Sequence, residues 1–246
     1  MIAAILMGRK GSKGFPGKNL YKVLGRPLAF YPINAAKMCR GIDSVYLSTD
    51  DEALMDLAGK NGVEVIVRPP ELCSDEALGD LVYLHAYAHI RRMNPGKTVD
   101  LLALLMCNAP TITSETLSAG ICVLKDNQEY DSAVTVSKYN MWSPLRARRI
   151  DSGSLLKPFV PFETFGDPKA LNCDRDSQGD VWFADMGASI IRPECLENIE
   201  DGLLPQKWMG KHIYPLKQWG GLDVDYEWQI PQAEYWLKKH GVIAQE

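Results

Sequence analysis

A short apolar run, Ile2 to Met7, leads directly into a segment dense in glycine and basic residues, and this junction limits what the chain can fold into. The run has the length and composition of a β-strand buried on both faces. The next segment, residues 8–19, holds four glycines and four basic residues. Such backbone can wrap closely around a polyanion while the basic side chains neutralise it. The junction therefore predicts an α/β protein whose first loop holds a triphosphate, with a solvated basic loop as the structural alternative.

Charge is distributed unevenly along the chain. Residues 1–42 carry eight basic residues and no acidic one, whereas residues 43–246 carry 19 basic and 31 acidic residues. A nucleic-acid-binding protein is more often basic over a whole face, with a pI well above the value of about 5.7 found here. A local basic loop in an acidic body favours a small anionic ligand, and we expect no nucleic-acid partner.

Length, composition and cysteine spacing set the broad class. The 246 residues are 46% hydrophobic, enough for one α/β domain over residues 1–246 with a substantial core. No apolar run approaches the roughly 20 residues of a membrane span, and the start does not resemble a signal peptide. The six cysteines lie far apart without a Cys-x-x-Cys pair, which favours reduced, mostly buried thiols. We expect a soluble, cytoplasmic protein without a membrane partner.

Short apolar runs alternate with helical patterns along the chain. The predicted strands are Ile2–Met7, Ser44–Ser48, Glu64–Val67, Leu101–Met106, Ser132–Val136 and Gly187–Ile191. The predicted helices are Leu28–Met38, Glu52–Asn61, Leu78–Met93, Ser114–Asn127 and Tyr226–His240, with Pro231 bending or delaying the first turns of the last. Asp50 or Asp51 and Thr113 or Ser114 are predicted N-caps. This pattern is typical of a parallel sheet covered on both faces.

Residues 143–180 break this alternation. They are rich in Pro, Gly, Asp and Arg, and Phe159, Phe162 and Phe165 are spread among them. A segment of this length without a regular pattern is usually functional or bound to a partner. We expect an arm that packs on a second subunit.

Asp223 and Asp225 form an acidic pair just before the last predicted helix. Mg²⁺ prefers one or two carboxylates together with phosphate oxygens and water, so the pair predicts a magnesium site. The alternative is an acidic turn that caps the last helix. The first loop is neither a Walker A sequence nor a dinucleotide fingerprint, since Gly17-Lys18 is followed by Asn19.

The segment from Arg9 to Asn19, with Ser12-Lys13-Gly14 and Pro16-Gly17-Lys18-Asn19-Leu20, resembles the nucleotide-binding signature of the acylneuraminate (CMP-sialic acid) synthetases. These are cytidylyltransferases that activate acidic sugars. Later blocks follow in the family's order: Ser48-Thr49-Asp50, Arg68-Pro69-Pro70-Glu71-Leu72 with Ser74-Asp75, and Leu222-Asp223-Val224-Asp225. The resemblance implies a Rossmann-like, three-layer α/β fold with a mostly parallel sheet, Mg²⁺ dependence and a homodimer with a protruding, exchanged dimerisation arm.

By this resemblance, Arg9, Lys18 and Asp225 are the catalytic residues, and Asp223 and Asp225 hold Mg²⁺. The residues implied to bind the CTP are Gly8, Arg9, Lys10, Gly11, Ser12, Lys13, Lys18, Asn19, Arg68, Ser74 and Ala77. Arg68 and the Ser74-to-Ala77 turn are implied to lie near the cytosine.

The acceptor side departs from the family's pattern. Where the family commonly has Gln-Pro-Thr-Ser-Pro, this chain has Met106-Cys107-Asn108-Ala109-Pro110, and the usual Arg-x-Asn-Gly-Ala reads Ala184-Asp185-Met186-Gly187-Ala188. The residues predicted to bind the acceptor are Met106, Asn108, Arg146 and Arg175. Arginine suits bidentate recognition of a carboxylate, but Arg146 and Arg175 could equally form ion pairs between the arm and a second subunit.

The resemblance implies transfer of CMP from CTP to an acidic sugar, a sialic-acid-like 2-keto acid, with release of pyrophosphate. The altered acceptor residues leave three alternatives. One is a cytidylyltransferase for another acid, such as an octulosonate or a phosphonate. A second is a nucleotide-binding protein that has lost activity. The third is a glycosyltransferase whose Asp223-Val224-Asp225 binds the metal, although that motif lies far towards the C-terminal end.

Overall fold

The structure is a computed structural model that describes residues 1–74, 76–175 and 178–242. The strands in this part of the chain are β1 (Ile2–Met7), β2 (Lys22–Val23), β3 (Arg26–Pro27), β4 (Ser44–Thr49), β5 (Glu64–Val67), β6 (Leu101–Met106), β7 (Ser132–Lys138), β8 (Arg148–Ile150), β9 (Leu156–Pro158), β10 (Trp182–Ile191) and β11 (Ile213–Gln218). The α-helices are α1 (Phe30–Met38), α2 (Glu52–Lys60), α3 (Gly79–Met93), α4 (Ser114–Asp126), α5 (Glu194–Glu197) and α6 (Ile230–Lys239).

Seven strands form the central sheet, in the order β11-β7-β10-β6-β1-β4-β5. All neighbours run parallel except β10, which is antiparallel to both β6 and β7. The predicted mostly parallel sheet is therefore confirmed. The direction of β10 and the existence of β11 were not predicted. β11 is an edge strand that contains Pro215. Only Leu216 of this strand is buried, so its sequence gives no continuous apolar run.

The helices cover both faces of the sheet, so the three-layer arrangement is also confirmed. Side chains of β1 alternate between the two faces, as strand geometry requires. Ile2, Ala4 and Leu6 share a buried cluster with residues of α1, α2 and α4. Ala3 and Ile5 belong to a second cluster with residues of α3.

A third apolar cluster holds α6 against the start of the chain. Trp236 and Leu237 of α6 are buried with Leu28 and Tyr31, and Val224 belongs to the same cluster and is fully buried. Because Val224 lies between Asp223 and Asp225, this cluster anchors the acidic segment beside the first loop.

Local signals account for most helix boundaries. Asp51 caps α2 by accepting a hydrogen bond from the Ala53 backbone N–H, and Thr113 caps α4 by accepting one from Thr116. α6 begins at Ile230, with Pro231 in its first turn, after one 3-10 turn over Glu227–Gln229. The predicted delay at the proline is thus confirmed.

Residues 143–180 contain regular structure that the sequence analysis did not predict. β8 and β9 pair antiparallel as a separate two-stranded sheet, apart from the central one. Ile150 and Leu156 of this hairpin are exposed, as is Phe159 just after it. Residues 176 and 177 of the predicted arm lie outside the described residues. These apolar side chains of the arm are therefore not buried by any of the other described residues.

All six cysteines are free. Cys39, Cys107 and Cys195 are buried as expected, but Cys122 and Cys173 are exposed, on α4 and in the arm respectively. Among the described residues, no helix combines the length and the apolar character needed to span a bilayer.

Candidate nucleotide and acceptor site

The carboxyl ends of β1 and β6 lie side by side, with Met7 paired to Met106. The loops after these strands line a cavity of about 280 Å³, which we call the loop cavity. Twelve residues singled out in the sequence line it together: Gly8, Arg9, Gly11, Ser12, Lys18, Asn19, Arg68, Ser74, Ala77, Met106, Asn108 and Asp225. Ligands of open α/β sheets bind beyond the carboxyl ends of the strands, where this cavity lies.

Two glycines of the first loop allow close backbone approaches. A Cβ on Gly8 would lie 2.7 Å from Sγ of Cys107, and one on Gly14 would lie 2.6 Å from the backbone oxygen of Asp225. Gly11 has a φ of +79°, which side-chain-bearing residues rarely adopt. The backbone N–H of Lys10 donates to Oδ1 of Asp50 at 2.7 Å. The loop is therefore fixed to the ends of β4 and β6 and to the acidic segment.

Lys18 contacts Asp225 at one wall of the loop cavity. Its Nζ lies 2.5 Å from Oδ1 of Asp225, and the lysine side chain is only 13% exposed. Asn108 donates from Nδ2 to the backbone oxygen of Val224 at 3.0 Å and to Oδ1 of Asp225 at 3.4 Å. A basic group from the first loop and a carboxylate from the C-terminal segment thus meet at one wall.

Side chains from outside the acidic segment also hold its backbone. Oε1 of Gln229 accepts hydrogen bonds from the backbone N–H groups of Asp225 and Tyr226, at 2.7 and 2.8 Å. Oγ1 of Thr111 accepts from the N–H of Leu222 at 2.8 Å. The start of the last helical segment is therefore capped through Gln229, and the Asp225 carboxylate turns to Lys18 instead of capping the helix.

Asp223 lines a neighbouring cavity, on the other side of the buried Val224. Burial raises the pKa of the Asp223 carboxyl, and the negative charge of Asp225 raises it further, whereas Lys18 acts in the opposite direction. Two nearby carboxylates repel each other when both are ionised, and a cation beside them relieves this repulsion. Among the described residues, no cluster of three or more His, Cys, Asp or Glu side chains suits a metal. Asp223 and Asp225 match the one or two carboxylates that Mg²⁺ takes alongside substrate phosphates.

Arg68 lies beneath the loop cavity as a buried cation. It is 5% exposed and donates from Nη2 to the backbone oxygen of Ser48 at 2.8 Å and to that of Gly8 at 3.3 Å. Burial lowers the pKa of its guanidinium, while Cys73 and Asp50 act against this shift. Arg68 joins the ends of β1 and β4 and adds positive charge under the first loop.

Asn19 carries an unsatisfied buried group. It is 8% exposed, and its Oδ1 accepts no hydrogen bond from the described residues. Its Nδ2 lies 3.5 Å from the backbone oxygen of Arg9, and its own backbone oxygen accepts from Ala29. A buried acceptor without a donor is costly, and a ligand hydroxyl or amine in the cavity would satisfy it.

The second cavity is larger, about 790 Å³, and we call it the aromatic cavity. The described residues that line it are Tyr139, Met141, Trp142, Phe183, Ala184, Asp185, Trp219, Gly220, Gly221, Leu222, Asp223, Trp228, Gln229, Pro231, Gln232, Tyr235 and Trp236. A β-bulge between Ala184 and Ser189 shapes one wall, with Met186 at a φ of +60°. Met186 packs against the core on the α3 side, so the bulge presents Asp185 to the cavity.

Some residues singled out in the sequence lie elsewhere. Lys10 and Lys13 are exposed and do not line the loop cavity. Arg146 lies in the arm, where Nη2 donates to the backbone oxygen of Cys173 at 3.2 Å, and Arg175 belongs to the same segment. Asp75, part of the predicted Ser74-to-Ala77 turn, lies outside the described residues.

Sequence reasoning also missed several residues of the site. Gly79 and Val82 line the loop cavity and were not singled out, whereas Leu72, which also lines it, belongs to a block that the resemblance included. Asp50, which contacts the first loop, belongs to the block Ser48-Thr49-Asp50 on which the family resemblance rests. Its place at the site was therefore predictable from the sequence. Gln229 had none, because its role depends on how the acidic segment enters the last helix.

A mostly parallel sheet with a basic, glycine-rich loop beyond β1 and a carboxylate, Asp225, beside that loop is typical of nucleotide-binding α/β proteins. A family model described as "Cytidylyltransferase" matches residues 3–151. The chain belongs to this family.

Individual relatives are more distant. The chain is 25% identical to N-acylneuraminate cytidylyltransferase A of Danio rerio, over all of this chain and 53% of that protein. It is 25% identical to N-acylneuraminate cytidylyltransferase of Oncorhynchus mykiss, over 94% of this chain and 49% of that protein. The chain thus spans about half the length of these curated relatives. Over 73 residues, or 30% of each protein, it is 32% identical to 8-amino-3,8-dideoxy-manno-octulosonate cytidylyltransferase of Shewanella frigidimarina.

Solved structures share the fold. The structure of CMP:2-keto-3-deoxy-manno-octonic acid synthetase complexed with CTP aligns with a TM-score of 0.67 at 14% identity, over 97% of this chain and 99% of the other. The 4-diphosphocytidyl-2C-methyl-D-erythritol synthase of Anaerococcus prevotii aligns with a TM-score of 0.60, also at 14% identity, over 96% of each chain. The expected Rossmann-like α/β fold is confirmed.

Proposed function

We propose that this chain transfers CMP from CTP to an acidic sugar, a sialic-acid-like 2-keto acid, and releases pyrophosphate. One observation carries the proposal. Lys18 of the first loop and Asp225 of the acidic segment lie 2.5 Å apart at the wall of the loop cavity. When a triphosphate enters with a divalent cation, Lys18 can bind the phosphates and the Asp225 carboxylate can bind the cation.

The first loop supplies the groups that bind the triphosphate. Arg9 and Lys18 neutralise its charge, and the backbone from Gly11 to Lys13 folds around it. Asn19 offers its unsatisfied Oδ1 to a donor on the nucleotide, which supports a role in holding the nucleoside. Arg68 holds the ends of β1 and β4 in register below the nucleotide.

Asp223 and Asp225 are the residues that would hold Mg²⁺. The bound ion would supply charge neutralisation on the triphosphate and polarise the α-phosphoryl group. Asn108 fixes Asp225 through its hydrogen bond, and Gln229 fixes the backbone on the other side. Lys18 neutralises Asp225 in the free chain, so both charges are already positioned before the substrate arrives.

The reaction itself is an in-line displacement. An acceptor oxygen forms a bond to the α-phosphorus of CTP as the bond to the pyrophosphate leaving group breaks, and the acceptor hydroxyl proton is released to solvent. Such chemistry depends mainly on positioning and charge neutralisation. The residues that we assign to these roles are Arg9, Lys18 and Asp225.

The acceptor side supports a second candidate within the same reaction class. Met106 and Ala184 present apolar groups at the two cavities, at positions where the resembling family is polar. An octulosonate or a phosphonate is therefore the alternative acceptor. Loss of activity is the weaker alternative, because Lys18 and both carboxylates are in place.

We also propose that the arm completes the protein as a homodimer. The exposed apolar residues of the β8–β9 hairpin support an interface, and Arg146 and Arg175 would then reach toward a partner subunit. Sedimentation velocity is expected to show a dimer. A monomer at micromolar concentration with full activity would contradict this part of the proposal.

Pyrophosphate release tests the function directly. The protein is incubated with Mg²⁺, one of the four nucleoside triphosphates and a panel of 2-keto sugar acids, octulosonates and phosphonates. We expect release only with CTP and one acid class. Thermal unfolding with each triphosphate gives an independent measure, since a ligand that binds only the native state stabilises it. Equal stabilisation by ATP and CTP would remove the cytidylyl assignment.

A further inference from the structure

The lining of the aromatic cavity does not match a purely acidic ligand. Its described lining includes two carboxylates, Asp185 and Asp223, and no lysine, arginine or histidine. Six of its aromatic residues are Tyr139, Trp142, Phe183, Trp219, Trp228 and Tyr235. A carboxylate or phosphate placed among these groups would lie beside the Asp185 carboxyl group and would find no cationic side chain in the described lining, apart from any cation that Asp223 holds.

Asp185 is buried and forms no ion pair with any of the described residues. It is 5% exposed, and its Oδ2 accepts hydrogen bonds from Oγ of Ser137 at 2.6 Å and from Nε2 of Gln218 at 2.9 Å. Its Oδ1 accepts from the backbone N–H of Gly187 at 3.2 Å. Neutral donors orient this carboxylate at the bulge without neutralising it. The cavity wall therefore presents a carboxyl group that has no cationic partner among the described residues.

The aromatic rings add to this preference. Trp219 is 52% exposed and Trp228 is 63% exposed, so their π-faces are accessible. Nζ of Lys239 already lies 4.0 Å from the centroid of the Trp219 ring. Lys239 thus occupies one side of this ring, in the arrangement that the quadrupole of an indole favours for a cation.

We propose that the aromatic cavity binds an ammonium group, primary or quaternary, on the acceptor. The acceptor is then zwitterionic, with its acidic, nucleophilic end toward the loop cavity and its cationic end among the tryptophans. Asp223 lines the aromatic cavity while Asp225 lines the loop cavity, so one short segment borders both ends of such a molecule. This inference rests on the proposed function, because it names the class of acceptor.

The first test needs no turnover. The six tryptophans give separable indole N–H signals in a heteronuclear NMR spectrum, each assigned by a single substitution. Titration with tetramethylammonium is expected to shift the signals of Trp142, Trp219 and Trp228 and to leave those of Trp182 and the buried Trp208 in place. tert-Butanol, a neutral probe of similar shape, is the control. Equal shifts with both probes, or no shift with tetramethylammonium, would overturn the inference.

A second copy of the chain is another possible occupant of this surface. In that case the same indole signals would change with protein concentration and would not respond to tetramethylammonium, which also overturns the inference.

The second test compares an acceptor that carries a free amine with the same acceptor after N-acetylation of that amine. We expect kcat/KM to favour the amine by about tenfold or more, the effect of a cation over partly dehydrated aromatic rings. In a Trp219→Leu, Trp228→Leu double variant this preference should fall toward equality, with CTP stabilisation unchanged. Trp182→Leu, an exposed tryptophan outside the cavity, is the matched control and should keep the preference.

The outcomes separate the two proposals. Turnover with acids but no preference for the amine, or a preference that survives in the double variant, contradicts the ammonium site alone. Absence of pyrophosphate release with every acid contradicts the proposed function, and the NMR titration still decides whether the cavity binds ammonium.

Discussion

Gly14 joins the first loop to the acidic segment through a contact that only glycine permits. A Cβ at this position would lie 2.6 Å from the backbone oxygen of Asp225 and 3.2 Å from the Tyr226 ring. Ordinary contact begins near 3.4 Å, so Gly14→Ala forces the loop and the segment apart by about 0.8 Å. The obstructing atom belongs to the backbone, which Gln229 holds in place, so the loop is the part that moves.

The expected cost falls on catalysis more than on stability. Lys18 follows Gly14 by four residues, and its 2.5 Å contact with Asp225 depends on the loop position. A misplacement of this size costs about 10²-fold in rate, or roughly 2.7 kcal/mol in the barrier. Gly14 itself is exposed, so the free energy of unfolding should change by about 1 kcal/mol or less.

The assay is kcat/KM for pyrophosphate release, measured beside thermal unfolding. Gly59→Ala is the matched control, since a Cβ there meets nothing within 4 Å and the residue lies on α2, away from both cavities. The control should keep normal kinetics and become slightly more stable, because alanine favours helix. Normal kcat/KM in Gly14→Ala would refute the argument that this contact positions the catalytic charges.

Other predictions follow from single groups. Lys18→Ala should lower kcat about 10²–10³-fold, as loss of a preorganised charge contact does, and near-normal turnover would contradict the mechanism. Asp225→Asn should fold normally and lose most of its Mg²⁺-dependent turnover, measured across a magnesium titration. Arg68→Met removes the guanidinium donor to the backbone oxygen of Gly8, whereas the oxygen of Ser48 keeps the Gly8 N–H as a donor, and should cost about 1–3 kcal/mol in chemical denaturation. Burial raises the pKa of Cys107 to about 12, so at pH 8 iodoacetamide should modify the exposed Cys122 and spare Cys107 in the native protein; mass spectrometry of the peptides checks this.

Local patterns were sufficient for several parallel strands of the central sheet. The predicted bounds of β1, β5 and β6 agree with the structure because each is a compact run of residues flanked by clear turn or helix signals. The caps at Asp51 and Thr113 were predictable for the same reason, since capping involves residues only two or three positions apart. The dense glycines and basic residues of the first loop likewise marked one wall of the loop cavity.

The features that could not be predicted from local patterns depend on long-range packing. The reversal of β10, its bulge and the edge position of β11 depend on which strands pair, and the side-chain period of two is the same in parallel and antiparallel strands. Asn108 was assigned to the acceptor, yet the structure turns its amide to Val224 and Asp225, contacts more than a hundred residues away. The aromatic cavity gathers side chains from three separate segments of the chain, residues 139–142, 183–185 and 219–236. The sequence by itself determined strands such as β1, β5 and β6 and the chemistry of the first loop, because those depend on neighbouring residues. Only the tertiary structure could bring distant charges and rings to one place.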